Sequence, residues 1–379
     1  MKSNSLAGRL ARRRRGRSSL RSAARAATAA SSAVAVVALG AVAAAPALAS
    51  TAPSMITTGN DTNIAVQGPN HSLHFYWATN GVPGWNPEQV AGAGTTFAAP
   101  AMTNNGDTVD IAVQGPNHSL VLYWATDGVP GWHHKRVAGA STTYSAPSIT
   151  TNSTDIVITA TGPSLSLRFY WAASASAGWH SEDVAGTGTT YSAPSITATG
   201  NDVFIAAEGA SHGLDFYWAT NGVPGWNPEQ AAGAGTTYAA PSMTTGSGIV
   251  IIAAEGAGHS LQFYWQSLGA ATWNPEQAAG TGTTYAAPSM TMGDNLVIIA
   301  AEGASHRLDF YWQALGAATW NPEQAAGAGT TYAAPSMTTN SAGIIIAAGG
   351  PSLSLDFYWQ LSGSATWNPE QVAPPGSVG

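Results

Sequence analysis

Tyr-Trp recurs seven times at an unvarying step of 47 residues, at Tyr76-Trp77, Tyr123-Trp124, Tyr170-Trp171, Tyr217-Trp218, Tyr264-Trp265, Tyr311-Trp312 and Tyr358-Trp359. A second tryptophan keeps the same step at Trp85, Trp132, Trp179, Trp226, Trp273, Trp320 and Trp367, and the two series account for all 14 tryptophans of the 379-residue chain. A fixed period of this length means that one supersecondary unit is stacked on copies of itself. Seven units, starting near residues 51, 98, 145, 192, 239, 286 and 333, fill residues 50–379 and leave no stretch for a separate catalytic domain.

Within a unit the pattern predicts four short strands, over Pro53–Thr57, Asn63–Gln67, Leu73–Ala78 and Trp85–Val90 in the first copy. Gly68-Pro69-Asn70 supplies turn residues between the second and third, and Asn80-Gly81-Val82-Pro83-Gly84 between the third and fourth. In the third strand Leu73, Phe75 and Trp77 alternate with His74 and Tyr76, so both faces carry bulky side chains. A sheet that is apolar on both faces must be covered on both. Stacking identical four-stranded sheets around an axis does this while leaving only short edges. The expected fold is an all-β, seven-bladed β-propeller. A β-solenoid, the competing architecture, would need polar end caps that the sequence lacks. Ile64 recurs as isoleucine in every unit and is expected in a buried strand near the axis. How the ring closes is left open; the last unit lacks the Thr-Thr-aromatic segment that ends at Phe97 and Tyr144, which places the join there.

Residues 1–49 read as a secretory signal peptide. Arg12 to Arg15 and Arg17 form a basic stretch, Ala33 to Ala45 an apolar run, and Ala47-Leu48-Ala49 a cleavage site before Ser50. The apolar run is too short to span a bilayer, so export as a secreted, soluble protein without membrane insertion is expected. This leader holds nine of the 13 Lys/Arg, leaving Lys135, Arg136, Arg168 and Arg307 against 20 Asp/Glu downstream, a net charge of −16. A nucleic-acid partner needs clustered cations that the repeats do not have. With no cysteine, disulfides, thiolate metal sites and a cysteine nucleophile are excluded.

Two sets of residues are candidates for ligand binding. The first brackets the hairpin between the second and third strands: Gln67 with His71, Gln114 with His118, Glu208 with His212, Glu255 with His259, and Glu302 with His306. In the third unit the pair becomes Thr161 with Leu165 and in the seventh Gly349 with Leu353, so both polar partners vanish together. Such a pair either closes its hairpin as a cross-strand contact or presents an acceptor and an imidazole to sugar hydroxyls. The second set is the Trp85, Trp132, Trp179, Trp226, Trp273, Trp320 and Trp367 series. It begins the outermost strand, near solvent, and could offer an aromatic platform beside Asn86, Glu88 and Gln89 and their repeats. The Trp77 series reads as blade packing. Position 74 varies as Val121, Arg168, Asp215, Gln262, Asp309 and Asp356, which suggests an exposed location.

The second unit replaces the Asn-Pro-Glu-Gln set with His133-His134-Lys135-Arg136. Adjacent histidines on a strand point to opposite faces, so no metal site is expected there. A sialidase would need clustered arginines. The acids that a glycoside hydrolase would use repeat with the blades, whereas a catalytic site usually appears once. No enzyme activity and no cofactor are expected.

Units of the form Gly-Pro-x-x-Ser-Leu-x-Phe-Tyr-Trp, followed by a Gly-rich turn and Trp-x-x-Glu-x-Val-Ala-Gly, resemble the repeats of bacterial seven-bladed β-propeller lectins of the fucose-specific lectin superfamily. The resemblance covers residues 51–379 and implies a non-catalytic carbohydrate-binding protein with several equivalent sites at or between blades, often for fucose or O-methylated sugars. The Trp85 series matches the aromatic part of such sites; the arginine used by some relatives is missing from most units. The strong negative charge disfavours acidic polysaccharides, so neutral glycans are the expected partners, bound multivalently. The alternatives are an extracellular protein-interaction or structural scaffold and, further off, a glycoside hydrolase.

Overall fold

The computed structural model describes residues 51–79, 84–126, 131–220, 225–293 and 295–379; the signal-peptide reading and residues 80–83 of the expected turn lie outside the described residues. The described residues form seven four-stranded antiparallel sheets, each built from consecutive strands. In blade one these are β1 (Ser54–Thr58), β2 (Asp61–Gly68), β3 (Ser72–Thr79) and β4 (Asn86–Ala91). The other six blades repeat this order over 101–138, 148–185, 195–232, 242–279, 289–326 and 336–373. First strands contact one another in cyclic order, the first blade meeting the seventh, so they line the axis and the fourth strands form the rim. The chain is a seven-bladed β-propeller. No helix among the described residues is long and apolar enough to cross a membrane.

The two apolar faces of each sheet are used as the alternation requires. Ile64, Val66 and Tyr76 pack against Ile345, Ala347, Leu355 and Phe357 of the preceding blade. Leu73 and Phe75 pack against Met102, Ile111, Val113 and Tyr123 of the following one. All seven isoleucines of the Ile64 series are inaccessible to solvent, and each contributes roughly 1.5–3 kcal/mol by its burial. On the rim, proline occupies the second position of the fourth strand in five blades, from Pro87 to Pro369. A residue without an N–H blunts an edge that would otherwise pair with another chain.

Closure does not exchange a strand. The segment after each fourth strand crosses its own hairpin and reaches the next blade. In blade one, Thr95 and Thr96 N–H donate to His71 O at 2.8 and 2.9 Å and Phe97 N–H to Gln114 O at 2.9 Å. The last unit performs the same steps with other residues: Ser377 and Val378 N–H donate to Leu353 O and Gly379 N–H to Gln67 O. Around the axis, Met102 N–H donates to Ser54 Oγ, and Met55 N–H donates to Ser336 Oγ across the join. The last unit can do without the Thr-Thr-aromatic segment because backbone groups, not those side chains, make the connection.

Thr96, Thr190, Thr237, Thr284 and Thr331 are fully buried with hydroxyls that find no partner, and the equivalent residue at the join is Val378. Thr237→Val should therefore raise stability by about 1 kcal/mol, since an unpaired buried hydroxyl is removed and its shape kept; a chemical-denaturation midpoint that falls instead would show that the hydroxyl is engaged.

Two polar positions depart from expectation. Position 74 is not exposed: Asp309 and Val121 are buried and His74 is half-buried, because the side chain folds back over the glycine that ends the second strand. A Cβ at Gly68 would lie 2.2 Å from His74 Cδ2, and one at Gly209 2.1 Å from Asp215 Oδ2, which explains the glycine. Burial raises the carboxyl pKa of Asp215, Asp309 and Asp356, with Arg307 opposing the shift at Asp309. The second is Asp110, which stands where other blades hold Val157, Phe204 or Ile251. It is inaccessible to solvent, neither carboxylate oxygen has a hydrogen-bond partner, and burial pushes its pKa from 3.8 up to about 7.

Candidate functional site

The two candidate sets lie toward opposite ends of the third strand and are not brought together. His71 sits in the turn before β3, and Trp85 in the connection after it.

The Trp85 series was expected on the outer rim; it lies instead, half-buried, in the seams between blades. Trp132, Trp226, Trp273, Trp320, Trp367 and Trp85 each meet edge-on the phenylalanine of the preceding blade's third strand, with ring centroids 5.0–5.1 Å apart. Trp179 faces Leu122 instead, within the same cluster. Glu88 pairs in register with Phe75, so its carboxylate shares the face of Phe75 and Trp77 that looks toward the next blade. There it accepts from two indoles, Trp77 Nε1 at 3.2 Å in its own blade and Trp132 Nε1 at 3.0 Å in the next. The Trp77 series, read as packing alone, is half-buried too and forms the second wall of each seam.

The arrangement repeats with variations. Glu229 accepts from Trp218 and Trp273, and Glu276 from Trp265 and Trp320; Glu182 accepts from Trp226 at 2.6 Å. Blades five to seven add Gln266, Gln313 and Gln360, whose amides donate to Glu229, Glu276 and Glu323 at 3.1–3.3 Å. At the sixth seam Glu323 accepts from Trp312 and Gln360, and the buried Trp367 Nε1 has no acceptor. These glutamines went unnoticed in the sequence; the signal was there, since Tyr-Trp-Ala becomes Tyr-Trp-Gln in the last three units.

Between blades seven and one the seam widens into a cleft of about 500 Å³, lined among others by Trp85, Trp359, Gln360, Glu370, Thr62 and Thr79. A smaller cleft of about 200 Å³ between blades five and six is lined by Trp265, Glu276, Gln313 and Leu315. Indole faces, carboxylates and amides in a half-open slot offer apolar surface to ring C–H groups and acceptors and donors to hydroxyls.

At the other end each hairpin turn holds two consecutive residues with positive φ, Asn70 at 56° and His71 at 60° in blade one, closed by Ser72 N–H on Pro69 O. This is the mirror-image turn that suits the twist of a hairpin. His212, His259 and His306 donate from Nδ1 to buried Glu208, Glu255 and Glu302, each at 2.7 Å. In the first two blades the amide nitrogens of Gln67 and Gln114 lie 2.6 and 3.2 Å from Nδ1 of His71 and His118. Each imidazole also stacks on the aromatic of the following segment: Phe97, Tyr144, Tyr238, Tyr285 and Tyr332, at 4.3–4.6 Å. Burial raises the carboxyl pKa of Glu255 and Glu302, and the histidine contact opposes it. The geometry is that of a latch which fixes hairpin and interblade segment together, with an exposed aromatic edge. The aromatic partner was the part that sequence reading missed.

Among the described residues no group of three or more His, Asp or Glu is placed to hold a metal ion. His133 stacks on Trp124 and His134 lies against Tyr123, one on each face of the strand.

No described protein family matches the sequence, and no characterised protein matches it by sequence. Solved structures do match the fold. The BP39L lectin from Burkholderia pseudomallei superimposes with a TM-score of 0.78 at 19% identity, over 86% of this chain and 100% of that one. The fucose-specific lectin from Aleuria aurantia gives a TM-score of 0.53 at 12% identity, over 73% and 95%. The β-propeller domain of the Trilobed protease from Pyrococcus furiosus gives 0.52 at 9% identity, over 86% and 98%. At these identities the likeness is one of fold, and it agrees with the propeller that the repeat resemblance implied.

Proposed function

We propose that this is an exported, multivalent, non-catalytic carbohydrate-binding protein that takes neutral glycans, fucose or O-methylated sugars among them, in the seams between its blades. The observation that carries the reading is the repeated slot of two half-buried tryptophans joined through one glutamate, as at Trp218, Glu229 and Trp273. Fold likeness to lectins supports it, and so does the acidic character of the repeats, which disfavours polyanionic ligands over most of the surface. A shallow sugar site is weak alone; several on one rigid ring raise avidity by about 10²- to 10⁴-fold toward a dense glycan surface.

A glycan array with free-sugar competition, followed by tryptophan-fluorescence titration, tests this. Trp273→Ala should lower the number of sites per chain by one and leave the affinity of the rest unchanged. Because Trp273 also packs on Phe216, Glu229→Gln is the companion variant that removes the charge without the ring. A folded protein that binds none of the neutral or methylated sugars would overturn the reading in favour of a protein-interaction scaffold, for which the exposed rings of Phe97, Tyr144, Tyr238 and Tyr285 at the latch end are the specific surface.

A further inference from the structure

One seam breaks the pattern. The position held by Glu88, Glu182, Glu229, Glu276, Glu323 and Glu370 is Lys135 in blade two. Lys135 pairs in register with Leu122 and so looks toward blade three, between Trp124 and Trp179. Its ammonium donates to Ser176 O at 2.8 Å and Ala177 O at 2.6 Å, which commits two of its three hydrogens. Trp179 Nε1 is buried and has no acceptor, a state shared with Trp367 Nε1 beside Glu323, while the equivalent Trp132, Trp226, Trp273 and Trp320 each donate to the glutamate of the blade before. Trp124 Nε1, like that of Trp171 and Trp359, makes no hydrogen bond among the described residues, whereas Trp77, Trp218, Trp265 and Trp312 donate to their own glutamate. Three N–H donors thus share the seam in which six other seams place a carboxylate.

Charge points the same way. Of the four cations in residues 51–379, Arg168 is paired with Asp183 and Arg307 with Asp309. Lys135 and its neighbour Arg136 are the two without an acid partner among the described residues. Among the described residues they form the one basic point without an acid partner, on a strongly acidic ring. Asp110, which lies beside Trp124 in the ladder, is held protonated up to about pH 7 by its burial and puts no charge against an anion below that.

We propose that the seam between blades two and three is a single site for a carboxylate-bearing sugar, whose carboxylate takes the place that a glutamate side chain holds in the other seams. The ligand carboxylate accepts from Lys135 and the two indoles, while Trp124 and Trp179 flank the sugar ring. This rests on the glycan-binding reading above and adds to it an acid-specific site on a ring otherwise suited to neutral sugars.

The test uses the secreted chain and glycans terminated in glucuronic acid or N-acetylneuraminic acid, each beside its carboxyl-reduced counterpart, titrated with the neutral sites saturated by competing neutral sugar. One site per chain should prefer an acid by about tenfold or more over its reduced form, as a charge-assisted hydrogen bond gives, and the preference should weaken with salt. Lys135→Glu, which restores the residue of the other blades, should abolish it and leave neutral binding intact; Lys135→Gln serves the same purpose if that variant does not fold. Preference for neither acid, or a preference that survives both substitutions, overturns the proposal while neutral binding leaves the wider reading standing. A folded ring that binds neither acid nor neutral glycans overturns both.

Discussion

Asp110→Val is expected to stabilise the ring by about 4 kcal/mol at pH 7.5 and by much less at pH 4. In the unfolded chain the carboxyl ionises near its ordinary value of 3.8, whereas burial holds it protonated in the folded chain up to about 7. Between those values the folded state binds more protons than the unfolded one, so the stability of the parent falls as pH rises and levels off above about 7. Roughly three pH units at 1.36 kcal/mol each give the figure. Valine removes the titration, and the chain itself accepts Val157 and Ile251 at the equivalent place. Denaturant midpoints of both proteins at several pH values decide the matter: parallel curves from pH 4 to pH 8 would mean that Asp110 has found a partner and carries its charge at no cost.

The second large effect is expected at the join. Val378 is inaccessible to solvent within the cluster that ties blade seven to blade one, beside Phe357, Leu355 and Ile64. Val378→Asp puts an unpaired charge there and should cost about 3–5 kcal/mol, whereas Val378→Thr, the residue of the other units, should cost about 1–2 kcal/mol. Because neither strand nor disulfide bridges the join, the aspartate variant should also lose the hydrogen-exchange protection of the Gly379 and Met55 amides before that of blades three to five. Loss of protection at the same rate everywhere would show that the ring unfolds as one unit and that the join is no weaker than other seams.

Much of this architecture is legible in the sequence because it depends on local alternation. Leu73, Phe75 and Trp77 against Tyr76 demanded two covered faces, and the structure covers both. The fixed isoleucine of the Ile64 series marked the buried second strand for the same reason. The site was harder to read, because its parts come from different blades. Glu88 and Trp132 are 44 residues apart and meet only across a seam, and the Tyr238 ring that covers His212 belongs to the connecting segment. No spacing within one unit announces such contacts. Position 74 misled for a related reason: variable residues suggested solvent, but what they share is a glycine beneath them, so many side chains fit as long as Gly68 and its equivalents have none. The histidine-lysine run of blade two looked like an interruption of the repeat; it acquires chemical meaning only beside the indoles of blade three.

Each blade is one uninterrupted stretch of chain, and this bears on how such a ring changes its membership. In a propeller whose last sheet borrows a strand from the opposite terminus, gaining or losing a repeat leaves two half-sheets to be matched. Here the unit of sequence duplication and the unit of folding coincide. Recombination between near-identical copies, such as those around Trp265 and Trp312, inserts or deletes a whole sheet together with the seams on either side of it. The same property makes the location of the termini a matter of sequence rather than of shape: a circular permutant opened at any of the connecting segments keeps seven intact sheets, and the break would simply move to another seam.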